Sequence, residues 1–344
     1  MKFFSQKTFT PIILMILVLF LASQTGCTEK AGNPTNEANP ATRSGSSAKD
    51  EGIKAGKIVF VDQGDIWVMD LGSGEKKNIT CSPENETRPR WSPDGKKIAF
   101  TRQERLLNVY IVNADGSGLT RLTGGTPGSD FAPAWSPDGK KITFLSSRDR
   151  PDSKFPNAEI YLMNPDGSVQ TRLTGGFELE NPDCLWWSFD GSQIAVHEEG
   201  TGGGTGISLV NAATGKVGRI EALREAMKKE GIKFSLINFY LFNPRDTNLI
   251  ACSLYDMSKG KGDSKNGVYI FDQGSGSLKK ICSYDAGALG WLRDGTALVY
   301  LEKGRIYSIQ KDGAGPVMLE DLTVQGPGTD YSELDLYWPG MAPK

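Results

Sequence analysis

The sequence predicts an all-β protein: a six-bladed β-propeller of four-stranded blades, closed by a C-terminal first strand that pairs with the N-terminal strands. Three observations carry this. An octapeptide recurs at blade spacing, turn residues fall at fixed places between short apolar runs, and each end of the chain lacks what the other has. The octapeptide Trp-Ser-Pro-Asp-Gly-Lys-Lys-Ile stands at Trp91–Ile98 and again at Trp135–Ile142. Altered copies begin at Trp187, Phe242, Trp291 and Trp338, the last one incomplete, so successive anchors lie 44, 52, 55, 49 and 47 residues apart. A period of roughly 40–50 residues is that of a propeller blade.

Within each repeat the anchor ends a first strand. An Asp-Gly turn or its equivalent follows, a chemistry suited to the positive φ angles of a tight hairpin. Second strands are read at Ile98–Phe100, Ile142–Leu145, Ile194–Val196, Leu249–Cys252 and Leu298–Leu301. Third strands are read at Val109–Val112, Ile160–Met163, Ile207–Val210, Val268–Phe271 and Ile306–Ile309, each ending in another Asn-, Asp- or Gly-rich turn. Fourth strands follow at Arg121–Thr123, Arg172–Thr174, Val217–Ile220, Lys279–Cys282 and Val317–Leu319. Residues 57–80 supply strands two to four of a blade with no first strand, and Leu334–Trp338 is a first strand with no blade. Pairing the two closes the ring and removes exposed sheet edges.

The run Trp-Ser-Pro-Asp-Gly-Lys-Lys-Ile-Ala-Phe, followed by Tyr110-Ile111-Val112-Asn113-Ala114-Asp115-Gly116-Ser117-Gly118 and Arg121-Leu122-Thr123, resembles the repeat of TolB-type propellers. The resemblance covers about residues 56–340 and is sharpest in the second and third blades. It implies a six-bladed propeller. TolB itself carries an α/β domain before its propeller, for which this chain has no room, so the resemblance bears on fold far more than on role.

Residues 1–26 read as a secretory signal: Lys2 and Lys7 precede an apolar run over Pro11–Ala22, too short for a membrane span of about 20 residues. Thr25-Gly26-Cys27 resembles the lipobox of bacterial lipoproteins, which implies lipidation of Cys27, although Gln24 stands where that pattern has an apolar residue. Residues 27–55 form a polar tether without apolar periodicity, and residues 56–340 form the propeller. The chain is therefore expected to be an exported cell-envelope lipoprotein, held to a membrane by its lipid.

The whole chain carries 39 basic and 41 acidic residues. Loss of a signal bearing two lysines and no acids makes the remainder net −4, with no basic run to favour nucleic acid. Beyond Cys27 the cysteines are Cys81, Cys184, Cys252 and Cys282. The strand assignments place a third strand between Cys252 and Cys282, near 9–10 Å apart, whereas a disulfide needs Cα atoms within about 7 Å. Four thiols, most of them buried, are expected. The single histidine, His197, comes without metal-ligand spacing or a Gly-x-Ser-x-Gly elbow, and is read as a blade-packing residue. No catalytic set, metal or cofactor is predicted.

The repeated tryptophans are read as inter-blade packing, and the Asp of each Asp-Gly turn as a hairpin clamp. Residues that break the repeat just before or within the first strands are better candidates for a polar tunnel mouth: Glu86, Arg88, Asp130, Asp183, Asn238, Glu333 and Asp335. Mostly acidic, this mouth suits a basic segment, a cation or a sugar. A helix over Ile220–Gly231 is expected to lean over the same mouth, and a loop over Ser147–Asn157 to project from it. The leading functional expectation is a monomeric, lipid-anchored binding module that holds an envelope protein or peptide on one face. The alternatives are a carbohydrate or small-ligand receptor and, more distantly, a lyase-like enzyme. Propellers of similar outline occur in oligogalacturonate lyases, which rely on several histidines, and in prolyl-oligopeptidase-like peptidases, whose hydrolase domain this length excludes.

Overall fold

The computed structural model describes residues 56–151, 158–176, 179–199, 205–232, 235–236, 240–256, 265–283, 286–292, 294–302, 305–321 and 334–337. The signal, the tether, Trp338, Asn238, Glu333 and most of the Ser147–Asn157 loop lie outside them. The repeats fold as six antiparallel sheets. Blade 1 has the order β25 (Leu334–Tyr337), β1 (Lys57–Asp62), β2 (Asp65–Asp70), β3 (Lys76–Asn78). Blade 2 holds β4 (Glu86–Trp91), β5 (Lys97–Gln103), β6 (Leu107–Asn113) and β7 (Thr120–Arg121). Blade 3 holds β8 (Asp130–Trp135), β9 (Ile142–Ser146), β10 (Glu159–Met163) and β11 (Thr171–Arg172). Blade 4 holds β12 (Pro182–Trp187), β13 (Gln193–Glu199), β14 (Thr205–Asn211) and β15 (Val217–Arg219).

In blade 5 the first strand is split into β16 (Ser235–Leu236) and β17 (Tyr240–Phe242), and both pieces pair with β18 (Leu249–Asp256). β19 (Gly267–Asp272) and β20 (Ser277–Ser283) complete that blade. Blade 6 runs β21 (Ala286–Trp291), β22 (Ala297–Glu302), β23 (Arg305–Gln310), β24 (Val317–Asp321). Closure is as the sequence predicts: β25 pairs antiparallel with β1, in the register Lys57 to Tyr337 and Phe60 to Leu334.

Apolar residues from facing blades mesh, and the anchors lie in those seams. Trp91 packs with Val59, Ile66 and Val68 of blade 1 and with Ile98 and Phe100 of its own blade. Trp187 donates its indole N–H to Thr143 Oγ1 of blade 3 at 3.0 Å, and Trp291 donates to the Leu241 carbonyl of blade 5 at 3.0 Å. Fourth strands in blades 2 and 3 are shorter than the pattern suggests. The Thr123 and Thr174 hydroxyls accept the Val109 and Ile160 N–H groups, both at 2.9 Å, so side chains take over where the backbone ladder would continue.

The turn aspartates act as expected. Asp138 Oδ1 accepts Ser136 Oγ at 2.7 Å and Lys140 N at 3.1 Å, and Asp94 and Asp190 repeat the arrangement. The Ser136 hydroxyl, then the Lys140 amide, lowers the Asp138 carboxyl below its ordinary value. Its contribution to stability is therefore present above the unfolded carboxylate range and is lost as pH falls through the folded value. Asp138→Ala is expected to cost about 1 kcal/mol at neutral pH and nothing in strong acid, checked by denaturant unfolding at the two pH values.

The predicted helix forms as α1 (Glu221–Lys229), but not as a cap on the mouth. Leu223 and Ala226 are buried in the seam between blades 4 and 5, and the helix packs against β20, the outermost strand of blade 5. Leu223 and Ala226 are three apart, one helical face, so the helix wedges its apolar stripe at the rim.

Candidate functional site

First strands pair on one side only, and they contact one another in a closed cycle, β25–β4–β8–β12–β17–β21–β25. They therefore enclose the central tunnel. Four of them are irregular, with register shifts at Thr87/Arg90, Phe131/Ala134, Pro182/Cys184 and Ala288/Gly290. Inside two of these bulges Arg88 (φ 54°) and Ala132 (φ 52°) adopt left-handed backbone. Such a conformation costs a non-glycine residue of order 1–3 kcal/mol, and bulges re-aim side chains. Regular strand geometry is thus interrupted repeatedly along the tunnel wall.

The candidate mouth residues fall into separate groups. Glu86 and Asp130, expected in an open acidic ring, are fully buried. Glu86 Oε1 accepts Arg102 Nε at 2.9 Å and Nη2 at 2.6 Å, while Oε2 accepts the Thr80 hydroxyl and, at 3.3 Å, the Ile66 N–H. Asp130 Oδ1 accepts Ser146 Oγ at 2.6 Å and Arg148 Nη2 at 2.9 Å; its Oδ2 is buried without a hydrogen-bond partner. Each arginine lies over a tyrosine ring, Arg102 over Tyr110 and Arg148 over Tyr161, both at 4.6 Å. The tyrosine hydroxyls in turn reach Glu104 and Asp149, which pair with Arg121 and Arg172. An acid at the start of a first strand faces the far end of the second strand, where Glu86 and Asp130 are closed off from solvent. Burial there requires a cation, which the end of the second strand or the residues just after it provide.

Asp335 is also structural. Its Oδ2 accepts the Trp91 N–H of blade 2 at 2.8 Å, fastening the closing strand to the next blade across 244 residues of sequence. Loss of water around the carboxyl raises it above its ordinary value, against the lowering effect of the nearby Arg90 cation. Desolvation raises Glu86 in the same direction, against its hydrogen bonds from Thr80 and Arg102. A folded protein that holds these protons to higher pH gains stability below the unfolded carboxylate range and loses it as pH rises through the folded values. Asp335→Asn keeps an acceptor for Trp91 without the buried charge. It is expected to flatten that part of the stability–pH curve while leaving the fold intact, measured by denaturant midpoints across the acidic range.

Arg88 and Asp183 remain on the surface of the mouth, with side chains 26% and 31% exposed. They come from blades 2 and 4, and Arg88 Nη2 stands 3.8 Å from Asp183 Oδ2. Between them lies blade 3, whose Phe131 ring is 5.9 Å from the Arg88 guanidinium. Asp183 occupies the bulge of β12, and its Oδ1 meets His197 Nδ1 of β13 at 2.5 Å. His197 is buried and its Nε2 has no hydrogen-bond partner. The histidine does pack within a blade, as expected. Its link to Asp183 was not legible, because Asp183 is the unpaired residue of the bulge and the residue opposite His197 is Cys184.

Cys252 and Cys282 pair with Tyr269 and Val268 of the intervening β19, so they form no disulfide with each other. Of the four thiols only Cys252 is buried; Cys184 and Cys282 are half-buried and Cys81 is exposed, fewer buried than the composition suggested. Burial pushes the Cys252 thiol up to about 12 and that of Cys282 up to about 11. Among the described residues no group of three or more His, Cys, Asp or Glu side chains could hold a metal, and no helix is long and apolar enough to cross a membrane.

Residues 50–174 match the family described as the tricorn protease N-terminal β-propeller domain. A curated relative, tricorn protease homolog 2 of Streptomyces coelicolor, is 30% identical over 130 residues, which are 36% of this chain and 11% of the relative; the chain thus spans a small part of that protein. Among solved structures, TolB from Acinetobacter baumannii superposes with a TM-score of 0.60 at 20% identity, over 85% of this chain and 68% of that one. A chain of the nidogen/laminin complex superposes at 0.55 with 12% identity, over 83% and 99%. The chain has a TolB-like six-bladed propeller fold.

Proposed function

We propose that this propeller is a cell-envelope binding module that holds a segment of a protein partner at its tunnel mouth, tethered to a membrane through a lipid on Cys27. The observation that carries the reading is the mouth itself. Strained first strands present Arg88 and Asp183 from two non-adjacent blades to one partly exposed spot, while Glu86 and Asp130 are buried in the framework. Loops on a rigid scaffold commonly carry binding, and strain tends to gather at functional positions. One structural neighbour, a chain of the nidogen/laminin complex, is part of an assembly of two proteins. The apolar run and Thr25-Gly26-Cys27 motif support the anchor.

Chemical crosslinking in intact cells, followed by purification through a C-terminal tag, tests the binding role. A reproducible protein partner that is lost in Asp183→Lys and Arg88→Glu supports it. A solitary preparation, together with a thermal-shift response to a sugar, would replace it with a carbohydrate receptor. Fractionation of Cys27→Ser tests the anchor: the variant should leave the membrane fraction.

A further inference from the structure

The inner strand of blade 1 is attached differently from the other five. β4, β8, β12, β17 and β21 each run through a turn into the second strand of their own sheet, β5, β9, β13, β18 and β22. An inner strand so tethered cannot leave its blade without drawing the second strand with it. β25 has no such tether. Its partner β1 stands at the other end of the described residues, and the two are held by pairing alone, from Lys57 opposite Tyr337 to Phe60 opposite Leu334. The short β25 nevertheless grips three blades. Leu336 is buried among Ile58, Phe60 and Met69 of blade 1 and Val299 and Ile306 of blade 6. The Asp335 carboxylate accepts the Trp91 N–H of blade 2 at 2.8 Å. The Tyr337 ring lies against Trp91 and over the Asp94-Gly95 turn of the same blade.

That turn can be compared with its own repeats. Gly95, Gly139 and Gly191 share one backbone, with φ 67°, 69° and 71°. A methyl group on Gly139 or Gly191 would meet Pro93 or Pro137 of the preceding blade at 3.8 and 3.9 Å, an ordinary contact. On Gly95 it would fall inside the Tyr337 ring. Positive φ favours glycine in all three turns, but only at Gly95 does a neighbouring side chain also occupy the space that a methyl group would need.

We propose that β25 is a releasable strap, withdrawn and replaced as a unit while the rest of the ring stays folded, and that the Tyr337 ring seated on Gly95 is its latch. The strap is independent of the binding reading above. Its withdrawal frees the inner edge of β1 toward the tunnel, with backbone N–H and C=O groups left without partners. An edge of that kind accepts an extended segment by strand addition. The other five second strands stay covered by their tethered first strands, so the fold has one place where the tunnel wall can open from the side.

The test is hydrogen–deuterium exchange of the full chain under native conditions, resolved to single amides by mass spectrometry with fragmentation. The amides of β25 and those of β1 that face it should exchange together, at least about tenfold faster than the core amides of β5 and β9, which wait for global unfolding. Gly95→Ala should speed the strap amides about tenfold further by crowding the ring. Gly139→Ala imposes the same backbone strain without touching Tyr337 and should leave their rate unchanged. In a Tyr337→Ala background the two glycine substitutions should act alike. Strap amides that exchange only with β5 and β9, or β25 amides that fray while those of β1 wait, overturn the strap in the unmodified chain, whether or not a variant folds. Equal effects of Gly95→Ala and Gly139→Ala with Tyr337 present, or an excess for Gly95→Ala that persists without the ring, overturn the latch.

Discussion

Arg102→Met is expected to destabilise the propeller by about 3–5 kcal/mol. Methionine keeps most of the stem that lies over Tyr110 but removes the charge facing Glu86. Glu86 is wholly buried between blades 1 and 2, and its Oε1 relies on Arg102 for both of its hydrogen bonds from this side chain. Without the cation it must either stay ionised in a poorly solvated seam or take up a proton, and both are costly. The double variant Glu86→Gln/Arg102→Met removes the buried charge as well, and should recover much of the loss. Denaturant unfolding of the two single variants and the double variant, read as a double-mutant cycle, checks this. A loss under 1 kcal/mol for Arg102→Met would mean that Thr80 and Ile66 suffice for Glu86.

Removing residues 334–344 is expected to abolish the closed propeller altogether. β25 supplies the innermost strand of blade 1, Leu336 is buried against Ile58, Phe60 and Met69, and the Tyr337 ring lies tilted against Trp91 with centroids 5.6 Å apart. The truncated chain would expose the edge of β1 and open the seam between blades 1 and 6, a combination that invites association. Size-exclusion chromatography and near-UV circular dichroism should report aggregates or a loosened state. A monodisperse monomer with native near-UV signal would contradict the closure. Leu336→Ala is the milder probe, with an expected loss of about 2–5 kcal/mol and the fold retained.

The fold was legible because propeller strands are local. Apolar periodicity, Asp-Gly turns and the anchor repeat each act within a few residues, and β5, β9 and β13 fall where those signals place them. Even closure was legible, since a first strand without a blade and a blade without a first strand have one mutual solution. The mouth was not. Whether an acid before an anchor is open to solvent depends on a basic residue at the far end of the next strand or just beyond it, as Arg102 is for Glu86 and Arg148 for Asp130. The offsets differ between the two blades, so the repeat does not reveal the pairing. Arg88 and Asp183 stand 95 residues apart and meet only because the ring brings blades 2 and 4 to one opening. The altered anchor copy at Phe242 belongs to blade 5, whose first strand is the broken one.

The position of β25 also sets an order of events during synthesis. The first blade to leave the ribosome cannot finish until the last strand is made, so the ring joins residues at maximal separation along the chain. Contacts of such high contact order form slowly. Blades 2 to 4 can acquire local structure early, but blade 1 must wait with one side of β1 unsatisfied. For the export that the proposed function entails, that delay is useful, because an unclosed ring is still a threadable polymer. Its commitment to a compact state comes when β25 meets β1.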